Sequence, residues 1–310
     1  MYKGQLHGNA LIKEYNAAKA KNPEMTQAEF AISIGMTPTC FVNRFYQAQA
    51  LVKAGIIKAP KAFKVPTFNK YPRLSGDWMI VGDAHVPYTD WEFAALVSEV
   101  AKKQLESPRR LLLAGDFFSF DQFSTYAQVV EHPTWKQEKK AAKALLKLWF
   151  ETFDEIYGLM GNHDRRLQKF VAGAFDETDI LAMVYSNPDK LKWSNYGYCI
   201  IDTPTGEWRV THPKNYSINQ LNVAEQLSFK FHQNIISHHE HHAAVGFDRY
   251  GKYILVNNGC LLEQNKLTYA TLDDSKSDAM MKAFCMLRGG YPYLFCDNGL
   301  PFTDWNYWLK

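Results

Sequence analysis

Five stretches of the chain lead from an apolar run into side chains able to bind a cation or move a proton. Met79-Ile80-Val81 runs into Gly82-Asp83-Ala84-His85, and Leu111-Leu112-Leu113-Ala114 into Gly115-Asp116. Ile156–Met160 runs into Gly161-Asn162-His163-Asp164, Val210-Thr211 into His212, and Ile235-Ile236-Ser237 into His238-His239-Glu240-His241-His242. Each apolar run reads as a buried strand, and Asp, Asn and His are poor strand fillers, so each polar group marks a strand end. In open α/β sheets that is where ligands bind. Carboxylate, amide and imidazole donors together suit borderline to hard divalent cations such as Mn²⁺, Mg²⁺, Fe²⁺, Ni²⁺ or Zn²⁺. No thiolate belongs to the set, which argues against a structural zinc.

In this order the five strand ends resemble the motif series of the calcineurin-like metallophosphoesterases: Asp-x-His, Gly-Asp, Gly-Asn-His-Asp, a lone His and Gly-His-x-His. The resemblance spans Asp77 to Gly259. It implies a four-layer α/β/β/α sandwich and two divalent metal ions per chain, Mn²⁺ first among them. By motif position Asp116 resembles the bridging ligand, with Asp83, His85 and His241 completing one metal site and Asn162, His212 and His239 the other. A hydroxide held between two such ions attacks phosphorus in line. His163 resembles the proton donor to the leaving oxygen, with Asp164 fixing its tautomer and raising its pKa. Arg165 and Arg166 resemble phosphate-binding groups, Arg166 being the better positional match and either one equally a surface residue.

The chain departs from the motif series in two places. Phe117-Phe118-Ser119 stands after the second motif where a further acidic residue is usual, leaving Asp121 as a helper. His238 replaces the Gly of the last motif, so His238 or His242 is an alternative ligand to its neighbour. The distance to the next strand at Ala243 favours His239 and His241. His7, His132 and His232 read as ordinary histidines. No Gly-x-x-x-x-Gly-Lys-Ser/Thr loop and no Gly-x-Ser-x-Gly elbow occurs, so neither a nucleotide-cradling P-loop nor a serine nucleophile is indicated.

The elements that position these groups alternate in type. Helices are expected at Trp91–Leu105, Trp135–Phe150, Arg165–Phe175 and Ile218–His232, and strands at Trp78–Val81, Arg110–Ala114 and Asn234–Ser237. Phe117–Val130 reads as an aromatic-rich insertion. Hairpins are expected over Trp193–His212, over Ala243–Asn258 and around Gly289-Gly290, with Trp305 and Trp308 packing back on the body. This alternation suits the same α/β/β/α sandwich.

The 310 residues are 46% hydrophobic and 22% charged, enough for a substantial core. No apolar run approaches the ~20 residues of a membrane span, and the first twenty residues lack a signal-peptide segment, so a soluble cytoplasmic protein with no membrane partner is expected. The five cysteines have no metal-knuckle spacing and fit a reducing compartment.

Charge divides the chain. Met1–Gly76 carries eleven Lys and Arg against three Glu, while the whole chain is only +3, so the remainder is acidic. Residues 1–55 read as a small all-α trihelical domain, 56–76 as a basic, Pro-containing linker and 77–310 as the catalytic domain. Thr26-Gln27-Ala28-Glu29 is a capping box, Gly35 a helix stop and Thr37-Pro38 a restart. Phe41, Val42 and Phe45 face inward, and Thr39, Asn43, Arg44 and Gln47 outward. Two helices joined at Gly35 resemble a helix-turn-helix, and those four outward residues are its candidate nucleic-acid contacts. The alternative is a trihelical packing domain that touches no DNA. The basic appendage points the substrate towards nucleic acid, DNA ahead of RNA, and so to a phosphodiesterase or nuclease. The alternatives are a phosphomonoesterase or protein phosphatase, and a DNA-binding or scaffolding protein with a non-catalytic esterase fold. No motif speaks to oligomeric state.

Overall fold

The computed structural model describes residues 9–53, 70–124, 132–185, 189–267, 280–297 and 303–310. The chain divides into two units, Met1–Phe68 and Asn69–Lys310.

The first unit holds three helices: α1 (Asn9–Lys21), α2 (Gln27–Ser33) and α3 (Pro38–Lys53). The capping box forms as expected. The Thr26 hydroxyl accepts from Glu29 N, and the Glu29 carboxylate accepts from Thr26 N at 2.8 Å. Gly35 lies at φ +75°, a conformation cheap only for glycine, and turns the chain into α3. Leu11, Phe30, Ala31, Ile34, Met36, Phe41 and Phe45 make this unit's own core. Thr39, Asn43 and Gln47 are exposed on α3, and Arg44 is half-buried.

The second unit contains β1 (Arg73–Ser75), β2 (Trp78–Val81), α4 (Trp91–Gln104), β3 (Arg110–Ala114), α5 (Trp135–Phe150) and β4 (Glu155–Leu159). Then follow α6 (Arg165–Phe170), α7 (Glu177–Ala182), β5 (Leu191–Ser194), β6 (Tyr198–Thr203), β7 (Gly206–Thr211), α8 (Asn222–Phe231) and β8 (Asn234–Ser237). The chain closes with β9 (Ala243–Phe247), β10 (Ile254–Asn258), β11 (Ala283–Arg288), β12 (Tyr291–Cys296) and α9 (Trp305–Trp308).

Two six-stranded sheets form, in the orders β12-β11-β2-β3-β4-β5 and β1-β6-β7-β8-β10-β9. Strands β2 to β5 run parallel, as do β7, β8 and β10. Trp78, Ile80, Leu112, Ala114 and Leu159 of the first sheet pack between the layers on Cys199, Ile201, Trp208, Val210, Ile236 and Val256 of the second. The outer face of the first sheet, Met79, Val81, Leu111, Leu113 and Ile156, meets Phe93 and Val97 of α4 and Leu145 and Trp149 of α5. On the second sheet Ile235 and Leu255 meet Ala224 of α8. The result is the expected α/β/β/α sandwich. Strands buried on both faces need no polar alternation, which is why they appear in the sequence as unbroken apolar runs.

Three expectations are corrected. Arg73–Ser75, assigned to the linker, is an edge strand paired with Ile200–Asp202, and Arg73 is held by Asp202 and Glu207. Its charge is therefore spent on the body; residues 54–69 of the linker lie outside the described residues. The stretch Trp193–His212 is not one hairpin. Leu191–Ser194 pairs parallel with β4 in the first sheet, and the hairpin proper is β6–β7 in the second. Gly197 lies on the passage between sheets, where a Cβ would stand 3.0 Å from the Met160 carbonyl oxygen. The helix after Asp164 stops at Phe170, and Asp176 caps a separate short helix, α7. The Phe117–Val130 insertion is described as far as Ser124 and includes a 3-10 turn at Asp121–Phe123.

Trp305 and Trp308 pack on Phe295 as expected. All five cysteines are free. Among the described residues no helix is long and apolar enough to cross a membrane.

Candidate metal centre

The carboxyl ends of β2, β3 and β4 in one sheet and of β7 and β8 in the other converge. Backbone bonds stitch the loops together: Asp83 N donates to Gly115 O at 3.0 Å, His85 N to Asp116 O at 3.0 Å and His238 N to Thr211 O at 3.1 Å. Close approach demands small residues. A Cβ on Gly115 would stand 2.7 Å from the His212 ring, and one on Gly161 would fall on the Asp116 carboxylate and backbone nitrogen.

Asp83, His85, Asp116, His239 and His241 all have φ between 44° and 84°. Non-glycine residues adopt the left-handed region only under constraint, and they collect where side-chain aim matters more than backbone comfort.

Three groups bring their ligand atoms within 4.8 Å of one another: Asp83, His85 and His241; His85, Asp116 and His163; Asp116, His212 and His239. Asp116 Oδ2 lies 3.2 Å from His212 Nε2 and 3.8 Å from His85 Nε2, so one carboxylate faces both ends of the site. Asp83 Oδ1 lies 3.2 Å from His241 Nε2 and 3.8 Å from His85 Nε2. Asn162 Oδ1 is 3.0 Å from His212 Nε2. Neither His238 nor His242 joins a cluster among the described residues. His238 sits behind Asp83, its Nδ1 3.6 Å from Oδ2, in the space that the missing Gly82 side chain leaves free.

The donor set fits a cation on its own chemistry. His212 Nδ1 faces the Ala114 carbonyl at 3.3 Å and donates there, which turns the Nε2 lone pair towards two further acceptors, Asn162 Oδ1 and Asp116 Oδ2. Three lone-pair atoms converge, and only a proton or a cation reconciles them. Asp83 Oδ1 and both nitrogens of His85 are buried with no hydrogen-bond partner. Burial alone would raise the Asp116 and Asp83 carboxyls, but the surrounding imidazoles overcome it and hold both well below the usual range. Burial alone would lower His212; the Asp116 and Asp83 carboxylates instead push it up to about 9. Without a cation the site stores its negative charge against a protonated His212, and a divalent ion competes for that place.

His163 is also close to His85 and Asp116, but both of its nitrogens are engaged elsewhere. Nδ1 lies 3.1 Å from Ser119 O and Nε2 3.2 Å from Arg166 Nη2. A carbonyl can only accept and a guanidinium can only donate, so the ring is the neutral Nδ1–H tautomer. Burial first, and Arg166 among the nearby charges, hold it down at about 3.

The expectation for Asp164 is corrected. It does not orient the His163 ring. Its Oδ1 accepts from Phe118 N at 2.9 Å and its Oδ2 from Gly161 N at 2.8 Å, tying the second motif loop to the third. Burial raises its carboxyl to about 7, and both of its oxygens are spent on backbone N–H groups instead of the His163 ring. Of the two arginines, Arg165 turns to Asn195, donating to its Oδ1 at 2.9 Å and to its backbone oxygen. Arg166 faces the site and donates to Ser119 O at 2.9 Å and Asp121 Oδ1 at 2.6 Å. Tyr88 closes this network by donating to Asp121 Oδ2 at 2.7 Å. The helper role of Asp121 is thus to hold Arg166. The parts that sequence reasoning missed are the Ser119 carbonyl and Tyr88, neither of which carries a local signal.

A sequence model of the calcineurin-like phosphoesterase family matches residues 78–272. The chain belongs to the calcineurin-like phosphoesterase family. Solved structures similar to this phosphoesterase chain include a Thermotoga maritima protein, 13% identical, covering 72% of this chain and 98% of that one, with a TM-score of 0.34. Chaetomium thermophilum Vps29 is 9% identical and covers 72% and 92%, with a TM-score of 0.40. Wild-type Vps29 complexed with Zn²⁺ from Entamoeba histolytica is 13% identical and covers 71% and 97%, with a TM-score of 0.38. No curated protein sequence matches the chain.

Gly161→Ala tests the packing of this phosphoesterase site. The new Cβ is expected to displace Asp116 and destabilise the fold by about 1–3 kcal/mol, the usual cost of overpacking. Metal content by elemental analysis is expected to fall with it. A variant with wild-type metal content and wild-type Tm would show that the two loops tolerate separation.

Proposed function

We propose that this chain is a metal-dependent phosphodiesterase acting on nucleic acid, DNA ahead of RNA. The observation that carries the catalytic part is the single Asp116 carboxylate facing two imidazoles at 3.2 and 3.8 Å, one in each ligand set, beside His163. Asp83, His85, Asp116 and His241 would hold one divalent cation, and Asp116, Asn162, His212 and His239 a second, Mn²⁺ suiting this oxygen and imidazole set. When bound, such a pair supplies a water-derived nucleophile at neutral pH and neutralises charge on the phosphoryl oxygens.

The remaining steps belong to side chains. Arg166, held in plane by Asp121 and the Ser119 carbonyl, offers a guanidinium nitrogen at the site to a phosphate oxygen. His163 keeps Nδ1 on the Ser119 carbonyl, so the proton it exchanges is at Nε2, which Arg166 Nη2 occupies in the free chain and releases when it turns to the phosphate oxygen. Buried and neutral in the free chain, the ring is charged more readily once a phosphate anion stands beside it, because a neighbouring opposite charge favours the imidazolium. Substrate then loads the acid that protonates the leaving oxygen. Nucleic acid as substrate is supported by the basic N-terminal segment and the exposed Thr39, Asn43 and Gln47 beside Arg44 on α3.

One comparison tests the reading. The full-length protein with Mn²⁺ is expected to cleave bis-p-nitrophenyl phosphate faster than p-nitrophenyl phosphate, and to degrade DNA. Arg44→Ala with Gln47→Ala is expected to raise the Kd for DNA, reduce the salt dependence of binding by about one counterion and leave cleavage of the small diester unchanged. Preference for the monoester would favour a phosphomonoesterase. DNA affinity indifferent to the double substitution would make the helical unit a packing domain.

A further inference from the structure

We propose that Glu138, on α5 and outside the ligand set, is a positioning residue for proton transfer: it aims the Ser119 carbonyl that holds His163 and Arg166. The inference rests on the reading of His163 as the proton donor.

Glu138 occupies the inward stripe of α5 with Ala142, Leu145 and Trp149, spaced four, three and four residues apart, where an apolar residue is expected. It is only 1% exposed. A carboxyl in such a place is costly unless its oxygens are used. Its Oε1 accepts from Phe120 N at 2.7 Å. That N–H and the Ser119 carbonyl belong to the same peptide unit. A trans peptide is planar, and its N–H and C=O point in opposite directions, so a group that fixes one end fixes the other. At the far end, Ser119 O takes His163 Nδ1 at 3.1 Å and Arg166 Nη1 at 2.9 Å. One rigid plane therefore connects α5 to the tautomer of His163 and to the plane of the guanidinium. Donation of the N–H to a carboxyl also polarises the peptide and strengthens the carbonyl as an acceptor.

The local backbone needs such a hold. Phe120 has φ 50°, a left-handed conformation with a bulky side chain, which persists only when its surroundings impose it. Its ring stacks on Phe118 at 4.6 Å between centroids and packs on Trp135 at 5.3 Å, so packing places the loop while the carboxyl sets the direction of the peptide. Burial pushes the Glu138 carboxyl up to about 8, so at neutral pH it is largely the uncharged acid and adds little charge of its own to the site.

The test uses the full-length chain and three substitutions. Glu138→Gln keeps an acceptor oxygen and is expected to stay within about threefold of wild type. Glu138→Leu keeps the volume and removes the acceptor. With metal content unchanged, it is expected to lose about 10–10²-fold on a diester with an alkoxide leaving group, the scale of a small misplacement of a catalytic group. On a p-nitrophenyl diester it is expected to lose less than about threefold. Glu138→Asp, with its carboxyl withdrawn by one methylene, is expected to show the same pattern at lower amplitude and serves if the leucine variant does not fold. A second readout needs no turnover. The nitrogen-15 resonances of His163 are expected to report one Nδ1–H tautomer in wild type and Glu138→Gln, and a mixture in Glu138→Leu or Glu138→Asp. An unchanged His163 tautomer in the latter two, or equal losses on both esters, overturns the proposal. If His163 proves not to be the acid, the leaving-group pattern vanishes from His163→Ala as well, while the tautomer signal still decides whether Glu138 aims the carbonyl.

Discussion

Asp116→Asn is expected to remove metal from both halves of the site at once. The residue belongs to two of the ligand clusters among the described residues, one with His85 and one with His212, and its Oδ2 faces both imidazoles. Asparagine keeps the volume and an oxygen able to accept the His163 backbone N–H that Asp116 Oδ1 takes at 2.7 Å, so the loop geometry is retained. What is lost is the charge. The amide presents one neutral oxygen where the carboxylate is held ionised by its imidazole neighbours. Loss of Lewis-acid stabilisation worth several kcal/mol corresponds to at least about 10³-fold in turnover. Elemental analysis of the variant is expected to show both ions depleted, whereas Asn162→Ala is expected to deplete one. Two tightly held ions per chain in Asp116→Asn would remove the residue from the bridging position.

The clustering of Asp83, His85, Asp116, His212, His239 and His241 was legible because parallel strands buried on both faces leave unbroken apolar runs, and polar residues at their ends have nowhere to be but one end of the sheets. The runs into Asp83, Asp116 and Asn162 carry that signal, as does Trp135–Phe150, whose helix bounds were read to the residue. Three-residue β1 was not legible, because Arg73-Leu74-Ser75 has no pattern of its own and is a strand only through its partner β6. Trp193–His212 was misread because alternation reports a strand without saying which sheet it joins. Asp164 was misassigned for a related reason. Proximity in sequence to His163 suggested a side-chain pair, while the carboxylate spends both oxygens on backbone groups, one of them 46 residues away. Glu138 is the clearest case. Among Trp135-Lys136-Gln137-Glu138-Lys139-Lys140 it reads as one more solvated charge, and only the turn of the helix reveals that it points inward. The Thr134–Gln137 capping box was visible in principle, being the same Thr-x-x-acceptor signal as at Thr26.

His163→Ala is expected to keep the metals and lose about 10²–10⁴-fold in turnover, the usual worth of a positioned general acid. Metal retention follows from geometry, since both ring nitrogens are engaged by Ser119 O and Arg166 and neither is committed to the ligand set. The loss is expected to depend on the leaving group. A p-nitrophenolate departs readily without a proton, so its diester is expected to lose much less than a diester whose leaving group is a sugar alkoxide. Asp164→Asn is expected to behave differently. Asp164 accepts from Phe118 N and Gly161 N, so an amide oriented to satisfy one of these donors turns an NH₂ group against the other. The consequence is a loosened pair of loops, with lower Tm, weaker metal retention and losses similar on both esters. The two variants therefore separate proton donation from scaffolding at two adjacent residues. The measurement is the ratio of wild-type to variant turnover on two diesters of different leaving-group pKa, with metal content determined in each sample. Equal losses on both esters for His163→Ala, or a loss explained by missing metal, would assign the ring to the metal shell or to packing and leave the leaving oxygen without a protein donor.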